Sequence, residues 1–317
     1  NCVRRDEPHE LSLVLSGALY GVMTEIHEDL KAQYAEQPRY KEFDNPVFSA
    51  SGFALVDCAE RMKRMAFRAL DYLPPGEVSY ADYGRALIQV DRVAYPDDDK
   101  MRNWVRAEFV KRHIVPDEGR LQAETGLDAE APEAIDAATL HDSDWAAYQF
   151  ANAYRPLLRI PEGVPFQVRP RLRVRKRYQH HREGEECIFK VAWEHPEPNP
   201  IGHGAPQERW ITVGTTLVLD WDTGQLLARL SSAPAGKPRE DTEDPQIRLR
   251  REQEYEKQCE DRNSLLRRLA EEGTLTFGND ALGPDGQPLL SAIQAETVRG
   301  RMRTRGTAKL LHIAGGE

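Results

Sequence analysis

Over roughly the first 115 residues the apolar positions recur every three or four residues, and from Val164 they recur every second residue. The first spacing marks amphipathic helices and the second marks half-buried strands. Pro8 opens the first helix, whose stripe is Leu11, Val14, Leu15, Ala18, Leu19, Val22, Met23, Ile26 and Leu30. Gly17 and Gly21 lie one turn apart on it, where another backbone can approach closely. A Pro-, Asn- and Ser-rich loop then leads to a second helix from Phe53 to Leu73, with Val56, Ala59, Met62, Ala66 and Ala69 facing inward. Pro74-Pro75-Gly76 stops it. Ser79 caps a third helix, with Asp82 favouring its positive end and Tyr80, Tyr83, Leu87, Val90 and Ala94 as its stripe. Asp97 to Asp99 open a fourth, built on Met101, Trp104, Val105 and Phe109.

These helices predict an all-helical lobe over residues 1–115. Residues 116–163 read as an acidic, Ala-rich linker ending in an aromatic helix with Trp145, Tyr148 and Tyr154. Residues 164–317 read as a small α+β domain. In its first strand Val168, Leu172 and Val174 alternate with Arg169, Arg171, Arg173, Arg175 and Arg177, which gives one face a row of guanidinium groups. Further strands are expected at Cys187–Trp193, Trp210–Leu219, Gln225–Leu230 and Thr307–Ile313, with turns at Asp222-Thr223-Gly224 and Gly283-Pro284-Asp285-Gly286. A long charged helix spans Pro245 to Glu272, its first half too poor in apolar residues to be buried. The predicted class is therefore α+β: a helical lobe, then a small antiparallel sheet with a long charged helix.

Composition narrows the classes. The chain has 317 residues and a net charge of −9, which argues against a general nucleic-acid coat but not against a local basic patch. Cys2, Cys58, Cys187 and Cys259 are scattered, without a CxxC pair, as expected of a reduced, cytoplasmic protein. The longest apolar stretch, Leu11 to Met23, is too short to span a bilayer, so no membrane partner is expected.

Candidate chemistry begins at the chain start. In Asp6-Glu7-Pro8-His9-Glu10, a His beside a helix entry can donate to a developing oxyanion if a carboxylate orients it, and Asp6 is placed to do so. The alternative is an ordinary surface His. The run Pro8-His9-Glu10-Leu11-Ser12 through Ser16-Gly17-Ala18-Leu19-Tyr20 resembles the cleft-His stretch of the thermolysin-like (gluzincin) zinc metallopeptidases. The order continues through Phe67-Arg68-Ala69-Leu70-Asp71-Tyr72-Leu73, Ser79-Tyr80-Ala81-Asp82 and Val105-Arg106-Ala107-Glu108-Phe109. This resemblance covers about a third of the chain. It implies the helical C-terminal lobe of such an enzyme, with His9 stabilising the tetrahedral intermediate and Asp6 orienting it, at a shorter spacing than the family pattern. It also implies zinc and a general-base Glu on a lobe upstream of Asn1, and a peptide or protein substrate. The chain itself lacks His-Glu-x-x-His, so it is expected to bind no zinc and to be inactive alone.

Three other features have plainer readings beside the chemical ones. Asp222-Thr223-Gly224 matches half of an aspartic-protease dyad but occurs once, where a hairpin turn is wanted. Cys187, His195 and His203, with His180 and His181 nearby, have no common zinc spacing. Arg169, Arg171, Arg173 and Arg175 suit a phosphate or carboxylate partner, yet Glu185, Glu186 and Glu194 on neighbouring strands are available to neutralise them. The alternative to the peptidase reading is thus a non-catalytic binding or regulatory protein that meets an anionic partner through this arginine strand.

Overall fold

The computed structural model describes residues 8–41, 49–122, 132, 134–178, 182–199, 208–233, 245–271, 275–277, 293–298 and 300–306. Helices and one sheet are both present, as the two periodicities predict. Helix α1 (Pro8–Ala35) is followed by the short α2 (Pro38–Lys41), then α3 (Ala50–Tyr72), α4 (Tyr80–Ala94) and α5 (Lys100–Lys111). A 3₁₀ turn (Glu118–Leu121) precedes α6 (Ala137–Asp142), α7 (Asp144–Ala153) and α8 (Arg155–Leu158). Strands β1 (Phe166–Val168), β2 (Leu172–Arg177), β3 (Glu183–Pro198), β4 (Glu208–Asp220) and β5 (Leu226–Ser231) come next. Helix α9 (Pro245–Glu271) and strands β6 (Leu275–Phe277), β7 (Ile293–Val298) and β8 (Arg301–Gly306) complete the order.

Capping explains the helix starts. Ser49 Oγ accepts from Gly52 N at 3.2 Å and begins α3 three residues earlier than the apolar pattern suggests. At α4, Ser79 Oγ accepts from Asp82 N while the Asp82 carboxylate accepts from Ser79 N, a complete capping box. The glycines of α1 admit side chains rather than a backbone: a Cβ on Gly17 would lie 2.8 Å from Arg112 Nη1, and one on Gly21 would strike the Glu108 carboxylate. The inward face of α3 also differs from expectation. Val56 is exposed, and Cys58, Met65, Arg68 and Tyr72 are buried instead.

The chain forms two compact units whose division does not follow the breaks at residues 115 and 163. The first comprises residues 1–158, 167–191 and 214–232. Its core joins Val22 and Ile26 of α1, Met65 and Tyr72 of α3, Leu87 and Val90 of α4 and Phe109 of α5 to Ile188, Val218 and Leu230 of the sheet. The helices therefore share one core with the strands. The opposite face of the same strands carries α6–α8: Phe150 packs edge-on to Phe189, and His141 packs edge-on to Trp221. In this unit the sheet lies between two helical layers.

The second unit comprises residues 159–166, 192–213 and 233–317, and Leu266 of α9, Leu275, Ala295 and Met302 form a small core within it. Strand order is β1-β3-β4-β8-β7-β6, with β2 also on β3 and β5 also on β4. The β2–β3, β4–β5 and β7–β8 pairs are antiparallel, as expected of an antiparallel sheet, and β4–β8 and β6–β7 are parallel. The long arginine strand is two strands, because Pro170 has no N–H for the ladder. The expected strand Thr307–Ile313 and the turn at Gly283–Gly286 lie outside the described residues.

Candidate functional site

The arginine row lies on β2 and on the segment before it. Strand β2 pairs with β3 in the register Arg173↔Cys187, Arg175↔Glu185, Arg177↔Glu183. Val174 and Lys176 turn toward the α3 side. Val174 packs on the core there, and Lys176 Nζ reaches Asp71 Oδ2 of α3 at 2.5 Å. The odd positions take the other face, as strand alternation requires.

Along that face the arginines are engaged to different degrees. Arg171, 12% exposed, is held by Asp144 Oδ1 at 2.7 Å and by the His141 carbonyl at 3.0 Å. Arg173 Nε donates to Glu185 Oε2 at 2.6 Å and stacks its guanidinium 4.1 Å from the centre of the Trp221 ring. Arg175, 73% exposed, reaches Glu185 only at 3.6 Å. Arg169 and Arg177 are exposed and form no side-chain ion pair among the described residues. The hydrogen bond from Arg173, reinforced by the charges of Arg173 and Arg175, pulls the Glu185 carboxyl below its ordinary range. One carboxylate thus serves two guanidiniums. Of the other expected neutralisers, Glu186 turns to the opposite face and Glu194 pairs with Arg303.

Beneath β2 and β3 sits a buried polar cluster that periodicity did not reveal. Arg68 of α3, 5% exposed, forms an ion pair with the fully buried Glu186. Glu186 Oε1 also accepts from Tyr72 OH at 3.0 Å and Tyr178 OH at 2.8 Å. Two guanidiniums approach the Tyr178 ring, Arg68 at 4.8 Å and Arg182 at 4.9 Å from its centroid. Burial, then the adjacent Glu186 charge, push the Tyr178 phenol well above its ordinary range. The signal missed in the sequence was a lone Arg at an otherwise inward helix position, which reads as polar when only apolar residues are counted.

A second buried charge cluster lies within the other unit. Glu197 of β3 is clasped by Arg209 Nη2 of β4 at 2.9 Å and by Arg262 of α9, whose Nε lies 3.3 Å away. Glu197 and Arg209 are both essentially inaccessible to solvent. Cys259 Sγ stands 3.5 Å from both Glu197 Oε1 and Arg262 Nη2.

The remaining candidates are placed as follows. His9 is in the first turn of α1; its side chain and all of Asp6 lie outside the described residues. Asp222-Thr223-Gly224 forms the β4–β5 turn: Asp220 Oδ1 accepts from the backbone N–H groups of Asp222 and Thr223, and Gly224 takes φ +69°. Cys187 is buried, and burial pushes its thiol up to about 11, far from a metal-ready thiolate. His195 is half-buried, while His180, His181 and His203 lie outside the described residues. Among the described residues, no three His, Cys, Asp or Glu side chains converge as metal ligands, and no helix is long and apolar enough to cross a membrane.

The chain matches no family model, no curated protein and no solved structure.

Proposed function

We propose that the protein is a binding module that docks an acidic protein segment along β2. The observation that carries this reading is the imbalance on the outward face. Arg169, Arg173, Arg175 and Arg177 stand along one edge of the sheet, where Glu185 pairs with Arg173 and Arg175 and Glu183 stands opposite Arg177 in the register. Among the described residues β2 pairs only with β3, so its other edge has backbone groups open to an added strand. Alternate residues on a strand are about 6.6 Å apart, so an extended segment with carboxylates at every second position matches the row. The same charges also keep an open edge from pairing with other copies of itself.

The test is binding of a fluorescent peptide with alternating Glu residues, followed by anisotropy. The pair Arg175→Glu with Arg177→Glu should weaken it about 30-fold or more, since like charges then face each other. Both side chains are exposed, so the fold should persist. Equal affinity in this variant, or preference for a single-stranded oligonucleotide over the peptide, contradicts the reading.

The peptidase reading is supported by the helix order α1, α3, α4, α5 and by His9 standing in the first turn of α1. It places the helices as the thermolysin-like C-terminal lobe, completed by a zinc lobe upstream. A shared core between these helices and the sheet lends it less support than a self-contained lobe would. Its own test is His9→Ala in a chain joined to such a lobe, where peptide turnover should fall about 10²–10³-fold. Unchanged turnover removes His9 from any mechanism.

A further inference from the structure

Helix α7 leaves two aromatic rings at the surface beside the arginine row. Trp145 is 70% exposed, the highest value for a large apolar side chain among the described residues, and Tyr148 is 42% exposed. The two stack on each other, with ring centres 6.3 Å apart and planes inclined by 21°. Single exposed apolar residues are ordinary on a protein surface, whereas contiguous exposed aromatics mark a contact surface.

Position around α7 shows which way the pair faces. Ala147 and Ala151 are buried and Phe150 packs on Phe189, so these residues mark the side against the sheet. Asp144 marks the side toward β2, because its carboxylate lies 2.7 Å from Arg171. At about 100° per residue, Tyr148 falls about 40° and Trp145 about 100° beyond Asp144, turning away from the buried side. The aromatic pair therefore flanks the Arg171 end of the arginine row.

We infer, given docking of an acidic segment along β2, that the same segment carries a proline or phenylalanine next to its acidic run and seats that ring on Trp145. Charge selects this occupant. Aromatic faces attract cations, but the guanidiniums beside this pair repel a cationic side chain. A neutral ring uses the aromatic face and leaves the arginines to the carboxylates that follow it. Proline already holds an extended backbone, and phenylalanine offers an offset stack. A nucleic acid also brings rings and negative charge, but it has no backbone N–H and C=O groups for the open edge of β2. A chain of net charge −9 also disfavours its phosphates. Trp221 is covered by the Arg173 guanidinium at 4.1 Å, so it offers no platform to a following base.

The experiment compares three labelled alternating-Glu peptides by anisotropy on the full chain. One is extended by Pro-Phe at its C-terminus, one by Pro-Phe at its N-terminus, and the control by Ser-Ser. One of the two Pro-Phe peptides should bind about fivefold tighter than the control. Arg171 precedes β2, so a gain at the C-terminus means an added strand antiparallel to β2, and a gain at the N-terminus a parallel one. Trp145→Ala, at an exposed position, should bring that peptide back to the affinity of the control. Arg175→Glu with Arg177→Glu should weaken all three. If the control binds but neither extension adds affinity, or if the gain survives Trp145→Ala, the aromatic contact is overturned while docking on β2 stands. If none of the three peptides binds, both fall. A single-stranded oligonucleotide that outcompetes the peptides and depends on Trp145 also overturns both.

Discussion

Replacing Arg68 with methionine is expected to destabilise the protein by about 3–5 kcal/mol, the usual cost of removing one partner from a buried ion pair. Arg68 is 5% exposed and Glu186 fully buried, so the carboxylate left behind cannot turn to water. It keeps only the phenol donors of Tyr72 and Tyr178. Charge desolvation, rather than lost packing, dominates this cost, since methionine replaces much of the arginine stem. Urea unfolding followed by circular dichroism measures it. The double variant Arg68→Met with Glu186→Leu removes both charges and should recover a large part of the loss. A single-variant loss below about 1 kcal/mol would show that the pair is solvated.

Glu197→Leu should have a comparable effect, also about 3–5 kcal/mol, through the opposite charge. The substitution leaves the Arg209 guanidinium, essentially inaccessible to solvent, without the carboxylate 2.9 Å away. It also brings two cations, Arg209 and Arg262, to an apolar side chain. The damage should be confined to the unit that holds the cluster. Amide hydrogen exchange should therefore accelerate in α9 and along the Arg209 end of β4, while α3 and α4 keep their protection. Adding Arg209→Met should restore protection in α9. If α9 exchanges at the same rate in Glu197→Leu as in the unchanged protein, the cluster does not hold that helix.

These two clusters mark where the sequence was hardest to read. Periodicity located α1, α4 and α5 because their inward positions are apolar: Val22 and Ile26, Leu87 and Val90, Met101 and Phe109. On α3 the same reasoning chose Val56 and Ala59 over Cys58 and Arg68. A buried arginine counts as polar until its partner is known, and Glu186 lies more than a hundred residues away. The strands β3 and β4 were found but read too short. Their ends carry Glu197 and Arg209, which a hydropathy pattern assigns to loops. Strands β6, β7 and β8 were not anticipated, because Ile293–Val298 and Arg301–Gly306 are too polar to stand out from a charged tail. Pro170 could have divided the arginine strand from the outset.

The candidate binding face was more legible than the core. Alternation alone placed the arginines on one side of a strand, and the register with β3 then sorted them. Arg171 is taken up by Asp144, Arg173 and Arg175 share Glu185, and Arg177 stands opposite the exposed Glu183. No pattern in the sequence distinguishes the arginine that holds α7 from those left for a partner. That difference arises from Asp144 at the start of α7, whose carboxylate lies 2.7 Å from Arg171.

Hydrogen exchange with and without an excess of the alternating-Glu peptide tests the central claim most directly. The account predicts slower exchange over residues 169–177, with the largest change in β2, and no protection of α9. Protection that falls on other elements while β2 is unaffected would contradict it.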